Sequence, residues 1–367
     1  MDRTEAMAWV RNVASGLRLS QVKTLAACVA AALNVGRATL SAIGLKLSAE
    51  TSAKHRIKRV WRFTSNERVE PSDVMRGVVA ELLAKHKKNE PLVVALDWTD
   101  IRGFCVLMAA AVIKGRALPI VWASYEKWQL SKSQNSLEEG MLTLLRSLIP
   151  HHIPVIVLAD RGFGRTEFAR ACQRNKLNYV IRIRPEVWVE SPRFRGNLQD
   201  YPIKKGMRRL LCDVAFRKQN PVTQNVVIYW KKGLPKHRDE CWFLMTDLDH
   251  KPKELSALYG QRMTIEEFFR DGKNRRNGLA LRNTQLTKAS RLDRLILILS
   301  LAYILQVGLG LWERTKFRPG HWCSSNNARQ CSAFTIGRKL WERTNASLDL
   351  IVAQLVTALR NAAPNWG

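Results

Sequence analysis

Asp97 and Asp160 each follow a short apolar run, PLVVAL (residues 91–96) and IPVIVLA (residues 153–159), and a third acid, Glu266, stands among bases in LSALYGQRMTIEEFFRDGKNRR (residues 255–276). At about 100° per residue, a helix over that last stretch gathers Tyr259, Arg262, Glu266, Arg270 and Lys273 within an arc of roughly 80° and turns Ile265 and Phe268 to the far side. One helix face then carries a carboxylate, three cations and a phenol. Phosphoryl transfer uses such a set, because carboxylates hold a divalent cation while bases clamp the phosphates on which charge develops. Three carboxylates from separate segments can share a pair of Mg²⁺ ions about 3.5–4 Å apart. Oxygen ligands suit that metal, and no Cys/His cluster points to zinc. Plainer readings exist for the same residues. An Asp just past a buried strand is often a turn former or helix cap. The helix face can be a solvated one laced by Arg262–Glu266 and Glu266–Arg270 pairs worth about 0.3–0.5 kcal/mol each. Those pairs account for the charges but not for Tyr259. Two neighbouring acids compete: Asp100 is expected beyond the strand end, and Glu267 lies about 100° around the helix from Glu266.

The elements that must position these groups follow from pattern. PLVVALDWTD and GFCVLMAAAVIKGRALPIVWASY read as three consecutive strands with tight turns at Arg102-Gly103 and Lys114-Gly115. A helix over 136–149, a strand ending at Asp160, a helix over RTEFARACQRN and a strand NYVIRIR complete an α/β layer in which the fourth strand can pair beside the first. VWVESP, RLLCDVAFRK, QNVVIYWKK and ECWFLMTDL read as an inserted β segment over 185–249. Helix resumes near Pro252 and by periodicity runs to about Trp312. Residues 313–346 read as loop-rich, and a closing amphipathic helix carries Leu348, Ile351, Leu355 and Leu359. At the other end, residues 1 to about 60 read as three short helices with Ser20 as an N-cap, either a helix-turn-helix or a plain bundle. KHRIKRVWRF (54–63) adds cations with Trp61 and Phe63 interleaved, which suits phosphates and bases but equally a solvated helix face.

Composition narrows the partner. The chain has 367 residues, 60 Lys plus Arg against 31 Asp plus Glu, a net charge of +29, and 46% hydrophobic residues, so it is foldable and heavily cationic. Nucleic-acid phosphate is the commonest partner for such an excess, with anionic membrane as the competitor. Seven scattered cysteines without a Cys-x-x-Cys pair give neither a disulfide framework nor a zinc site and fit a reducing, cytoplasmic compartment. The amino terminus carries Asp2, Glu5 and Arg11 rather than a secretory pattern. Leu295 to Trp312 is eighteen residues without a charge, the lower limit of a membrane span. Ser300, Gln306, Gly308 and Gly310 within it favour a buried core helix, and no membrane association is expected.

In combination, the order strand-Asp97, strand-Asp160, β insertion, helix-Glu266 resembles an RNase H-like DDE transposase. The spacing Tyr259-x2-Arg262-x3-Glu266-x6-Lys273 is similar to the Y-R-E-K signature of the insertion-sequence-four family, to which the transposon-five transposase belongs. Asp97-Trp98-Thr99, the run Leu158 to Gly164 and Trp242 to Thr246 add to the likeness, which spans roughly residues 55–285. The resemblance implies a mixed five-stranded RNase H-like core (89–184 and 251–313) interrupted by a β-strand insertion domain (185–250). It also implies a helical DNA-binding N-terminal domain (1–88) and a helical C-terminal tail (314–367) with possible dimerisation. It implies that Asp97, Asp160 and Glu266 ligate two Mg²⁺ ions, Mn²⁺ substituting, and that Tyr259, Arg262 and Lys273, with Arg270, grip phosphates. It further implies cleavage at terminal inverted repeats and strand transfer within a homodimer on DNA. Trp242 occupies the place of a base-stacking tryptophan, although on sequence alone it is equally a β-strand core residue. Met263 stands where that relative has a second tryptophan. A non-catalytic DNA-binding derivative acting as a repressor and an RNase H-like nuclease or resolvase are the alternatives.

Overall fold

The computed structural model describes residues 3–35, 37–48, 50–131, 133–216, 222–232, 240–276, 278–323, 331–343 and 345–364. The joints of the β segment at 217–221 and 233–239 lie outside them. Five helices open the chain: α1 (Arg3–Val13), α2 (Leu19–Ala32), α3 (Leu40–Lys46), α4 (Ala53–Thr64) and α5 (Pro71–Leu83). The basic stretch 54–63 is therefore helical. Ser20 does not cap α2; Arg18 holds that place, its backbone N–H donating to the Gln21 side chain at 2.9 Å.

Three strands follow, β1 (Leu92–Ile101), β2 (Phe104–Ile113) and β3 (Arg116–Glu126). Their near-continuous apolar runs belong to strands buried on both faces. Ile101 pairs with Phe104, so the β1–β2 link is the two-residue turn Arg102-Gly103, with φ of 50° and 90°. Positive φ at both central residues is the hairpin turn whose twist matches its strands, and it explains the glycine. Helix α6 (Gln134–Leu148) crosses to β4 (Val155–Ala159), and α7 (Thr166–Arg174) crosses to β5 (Asn178–Arg182); β4 and β5 both run parallel to β1.

The expected inserted strands form, with one more than the pattern showed: β6 (Trp188–Ser191), β7 (Phe194–Asn197), β8 (Arg208–Phe216), β9 (Val222–Lys231) and β10 (Glu240–Thr246). They do not make a second sheet. β10 pairs with β5 through Leu244 and Arg182, and all ten strands share one sheet in the order β3-β2-β1-β4-β5-β10-β9-β8-β6-β7. The five strands expected for the core thus continue without interruption into the insertion.

The single helix expected from 252 to 312 divides into α8 (Pro252–Gly260), α9 (Met263–Lys273) and α10 (Ala289–Lys316). Between α8 and α9 the backbone bonds shorten to three-residue steps, Gln261 to Leu258, Arg262 to Tyr259 and Thr264 to Gln261, a tighter 3₁₀ turn that displaces Tyr259 from the ideal helical arc. After α9, extended Asn274 and left-handed Ala280 (φ 51°) stop helix outright.

Helix α10 contains the uncharged run, and 94% of the residues in its most apolar eighteen-residue window are buried within the protein. Its polar groups are used internally: Asp293 accepts from the Ser124 N–H at 2.9 Å, and the Gln306 amide donates to the Leu33 carbonyl at 3.2 Å. The stretch expected to be loop-rich contains α11 (Ala333–Leu340), and α12 (Leu348–Arg360) buries Ile351, Leu355 and Leu359 inside the same chain. Helices α10 and α11 touch backbone to backbone: a Cβ on Gly337 would lie 1.7 Å from the Gln306 carbonyl oxygen, and one on Gly310 1.8 Å from that of Ala333. Gly337→Ala is expected to cost about 2–3 kcal/mol in chemical denaturation, the usual scale of overpacking. An unchanged midpoint would place α11 elsewhere.

Candidate active site

Asp97 lies on β1, an interior strand between β2 and β4. Register pairs Leu96 with Ala159 on the parallel neighbour β4, so Asp97 and Asp160 are the next residues on strands about 4.8 Å apart. Chain topology thus brings together two acids 63 positions apart. Because β1 continues to Ile101, Asp100 is inside the strand rather than past its end. What separates it from Asp97 is alternation: Asp97 and Thr99 face α9, while Asp100 is exposed on the other face, accepting from the Cys105 thiol at 3.3 Å.

The third acid arrives on α9, and Arg262, the residue before that helix, joins it to the first. The Arg262 guanidinium reaches Asp97 Oδ2 at 3.2 Å and also donates to Glu266 Oε1. Its side chain is 12% exposed, which makes this more than a surface pair. Burial pushes the Asp97 carboxyl up to about 6; Arg262 opposes that rise, and the negative charges of Asp160 and Glu266 add to it. Asp160 Oδ1 accepts from the Gly162 N–H at 2.8 Å and so caps the turn after β4. The cap reading of the sequence therefore holds for Asp160 alongside its place beside Asp97.

Tyr259 is buried, and burial raises its phenol above the ordinary range. Its ring packs edge-on to Trp242 at 5.2 Å, and Trp242 packs edge-on to Tyr229 at 5.8 Å. The Lys231 ammonium sits 4.7 Å above the half-buried Trp242 ring, whose N–H donates to Glu240 at 3.0 Å. Met263 is 52% exposed beside Arg262. Lys273 donates to Thr99 Oγ1 from the end of α9, and burial holds its ammonium below the ordinary range. Ile265 and Phe268 bury on the far side, as the periodicity requires.

Arg270 is not brought to this cluster. It pairs with Glu267 at 2.8 Å and lies in a separate cleft with Arg116 and Asp271, which form a 2.7 Å ion pair. One group the sequence reading passed over is Glu138 on α6, fully buried and bonded to Trp98. Its signal was legible: Glu138, Met141, Leu142 and Leu145 share one helical stripe, and an acid within an apolar stripe calls for a partner.

The profile of a family described as a transposase DDE domain matches residues 88–305, more than half of the chain. The chain belongs to that family. Comparison with curated proteins found no match. The transposase match runs from just before β1 into α10, so it contains Asp97, Asp160, Arg262 and Glu266 and leaves α1 to α5 and the two last helices outside. Membership makes DNA the partner, and domains of this family use divalent metal ions.

The transposase's residues fit such an ion by donor chemistry. The donors are carboxylate oxygens, and two neighbouring negative charges help to lift Asp97 to about 6, a strain that a bound cation would relieve. In the arrangement described, no three His, Cys, Asp or Glu side chains among the described residues form a group that could hold a metal ion. Arg262 occupies one oxygen of Asp97 and one of Glu266, and Asp160 faces Gly162.

Because the folded Asp97 carboxyl is raised from 3.8 to about 6, the stability it contributes is complete below about pH 3.8 and is lost as pH rises through 6. Asp97→Asn, in chelator, is therefore expected to exceed the wild type in stability by ~2 kcal/mol at pH 8, with the gap closing by pH 4. Denaturation curves at both pH values measure it; a less stable variant at pH 8 contradicts the assignment.

Proposed function

We propose that the protein is a cut-and-paste DNA transposase of the insertion-sequence-four type, hydrolysing strands at terminal inverted repeats and then joining the freed 3′-hydroxyl to target DNA. The observation that carries the reading is Asp97 beside Asp160 on parallel strands, with Glu266 linked to Asp97 through the guanidinium of Arg262. In this reading Asp97, Asp160 and Glu266 would hold two Mg²⁺ ions, or Mn²⁺, which would supply Lewis-acid stabilisation of charge developing at phosphorus.

The remaining work belongs to the chain's own groups. Arg262 holds Asp97 and Glu266 together without DNA; turned toward a scissile phosphate, the same guanidinium gives that phosphate a fork of donors. Lys273, next to Thr99 on the face of β1 that carries Asp97, supplies a second cation. Tyr259 fixes the position of Trp242, whose face becomes available to an unstacked base once Lys231 swings away. Exposed Met263 offers an adaptable apolar contact at the same edge. A dimer assembled around two DNA ends must use surface other than the apolar stripe of α12, which is buried in its own chain.

DNA binding by residues 1–88 is supported by a cleft of about 520 Å³ between α2 and α4. Ser20 and Thr24 line one wall and His55, Arg56, Arg59 and Arg62 the other, and its lining contains no carboxylate. Arg59 is held in place by Thr24 at 3.3 Å and Arg56 by the Leu47 carbonyl at 3.1 Å. Phe63 is buried, and Trp61, 48% exposed, lies under the Arg291 guanidinium at 4.8 Å.

One observation favours a second reading. Two of the three acids are tied to Arg262, as they would be in a DNA-binding derivative that represses without cutting. Nicking assays decide: Asp97→Ala, Asp160→Ala and Glu266→Ala are each expected to abolish Mg²⁺-dependent cleavage of end DNA while leaving its binding, and a wild type that binds but never nicks supports the repressor. In a salt titration, Arg59→Ala and Arg62→Ala should each reduce the slope of log affinity against log salt by about 0.9. An unchanged slope would remove the α2–α4 cleft from the DNA interface.

A further inference from the structure

Glu138 is a fully buried carboxylate on α6. Removing a charge from water is costly, and an apolar residue of the same size would avoid that cost. Glu138 instead accepts two hydrogen bonds and makes one ion pair. Its Oε1 takes the Trp98 indole N–H at 2.7 Å and the Gln134 amide at 3.0 Å, and its Oε2 lies 2.5 Å from Arg165 Nη1.

Two of those partners lie close to the proposed catalytic acids in the chain. Trp98 follows Asp97, and its backbone N–H donates to Asp97 Oδ1 at 2.8 Å. Arg165 comes five residues after Asp160, at the start of α7, and is itself buried, with its guanidinium 5.3 Å from the Phe168 ring. The segment between them is tightly seated: a Cβ on Gly164 would lie 2.9 Å from the Arg182 carbonyl oxygen. One carboxylate therefore ties the second half of β1 to the segment leaving β4. Trp98 and Asp97 point to opposite faces of the strand, so Glu138 acts from behind the sheet and touches neither DNA nor metal.

We propose that Glu138 is a positioning residue, which fixes the spacing of Asp97 and Asp160 by holding Trp98 and Arg165 on one carboxylate. What is positioned rests on the catalytic reading above; the tether itself does not. Glu138→Gln keeps the shape and an acceptor for Trp98 but turns away Arg165, and Arg165→Met removes the other half of that contact. Single-turnover cleavage of pre-bound end DNA should fall about 10- to 100-fold in each, the usual effect of disturbing the partners of metal-ligating side chains. DNA affinity should remain within about twofold of wild type; each single variant strands a buried charge and is expected to melt lower, whereas the double variant, which removes both charges, should recover most of the melting temperature but not the rate. The double variant should be no more than about twofold slower than the slower single, since both remove one contact.

Two measurements do not depend on turnover. Calorimetric titration of the DNA-free chain with Mn²⁺ should show Glu138→Gln about tenfold weaker than wild type. Amide exchange across residues 160–165 should be about tenfold faster in the same variant. Wild-type cleavage in Glu138→Gln, effects that multiply in the double variant, a loss that follows melting temperature or DNA affinity, or unchanged exchange at 160–165 each overturn the proposal. If Asp97→Ala also leaves Mn²⁺ binding and cleavage unchanged, the catalytic reading fails instead, and the exchange measurement still decides the tether.

Discussion

Like charges gathered in a poorly solvated place repel, and the centre of this protein depends on how that repulsion is met. Asp97 is drawn into the sheet by the apolar run that precedes it, and the parallel pairing of β1 with β4 sets Asp160 beside it. Burial alone would drive Asp97 toward its neutral form. Arg262 counters this from the junction of α8 and α9, and because it also binds Glu266 it fastens the signature helix to the sheet. The position of α9 against β1 is thus fixed by an ion pair as well as by the burial of Ile265 and Phe268.

That solution has a functional corollary. A guanidinium between two carboxylates offsets part of their charge in the absence of DNA, yet in the proposed reading it occupies oxygens that a cation needs. Incoming phosphate would offer Arg262 a better bidentate partner, and the carboxylates so released would be open to a divalent cation. Substrate and ion are then expected to bind cooperatively, each lowering the cost of accepting the other, without any rearrangement of the sheet.

The strands and the acids were legible because their signals are local. An apolar run bounded by a turn is a buried strand whatever surrounds it, and Arg102-Gly103 names its own turn type. Arg262, Glu266 and Lys273 follow from spacing along one helix. Less was readable where the decisive term is tertiary. Arg270 fits the same arc, but Glu267 and the cleft by Arg116 claim it. The break between α8 and α9 is only a change to three-residue hydrogen-bond steps, which the apolar periodicity does not register. The shared sheet rests on three residue pairs between β10 and β5, which no pattern within either strand encodes.

That continuity changes what the β insertion can do. A separate domain on a flexible joint would move independently of the acids. Here β10 is hydrogen-bonded to β5, β5 to β4, and β4 ends just before Asp160, so a displacement at Trp242 is carried across two strand pairings to the carboxylates. Trp242 also meets Tyr259, one turn before Arg262. Two rigid routes, one through the sheet and one through α8, therefore join the aromatic cluster to the charged one. In the proposed reading, a base held against Trp242 would be registered relative to Asp97 and Asp160 by strand geometry rather than by loop conformation, which is the rigidity an in-line attack on phosphorus would require.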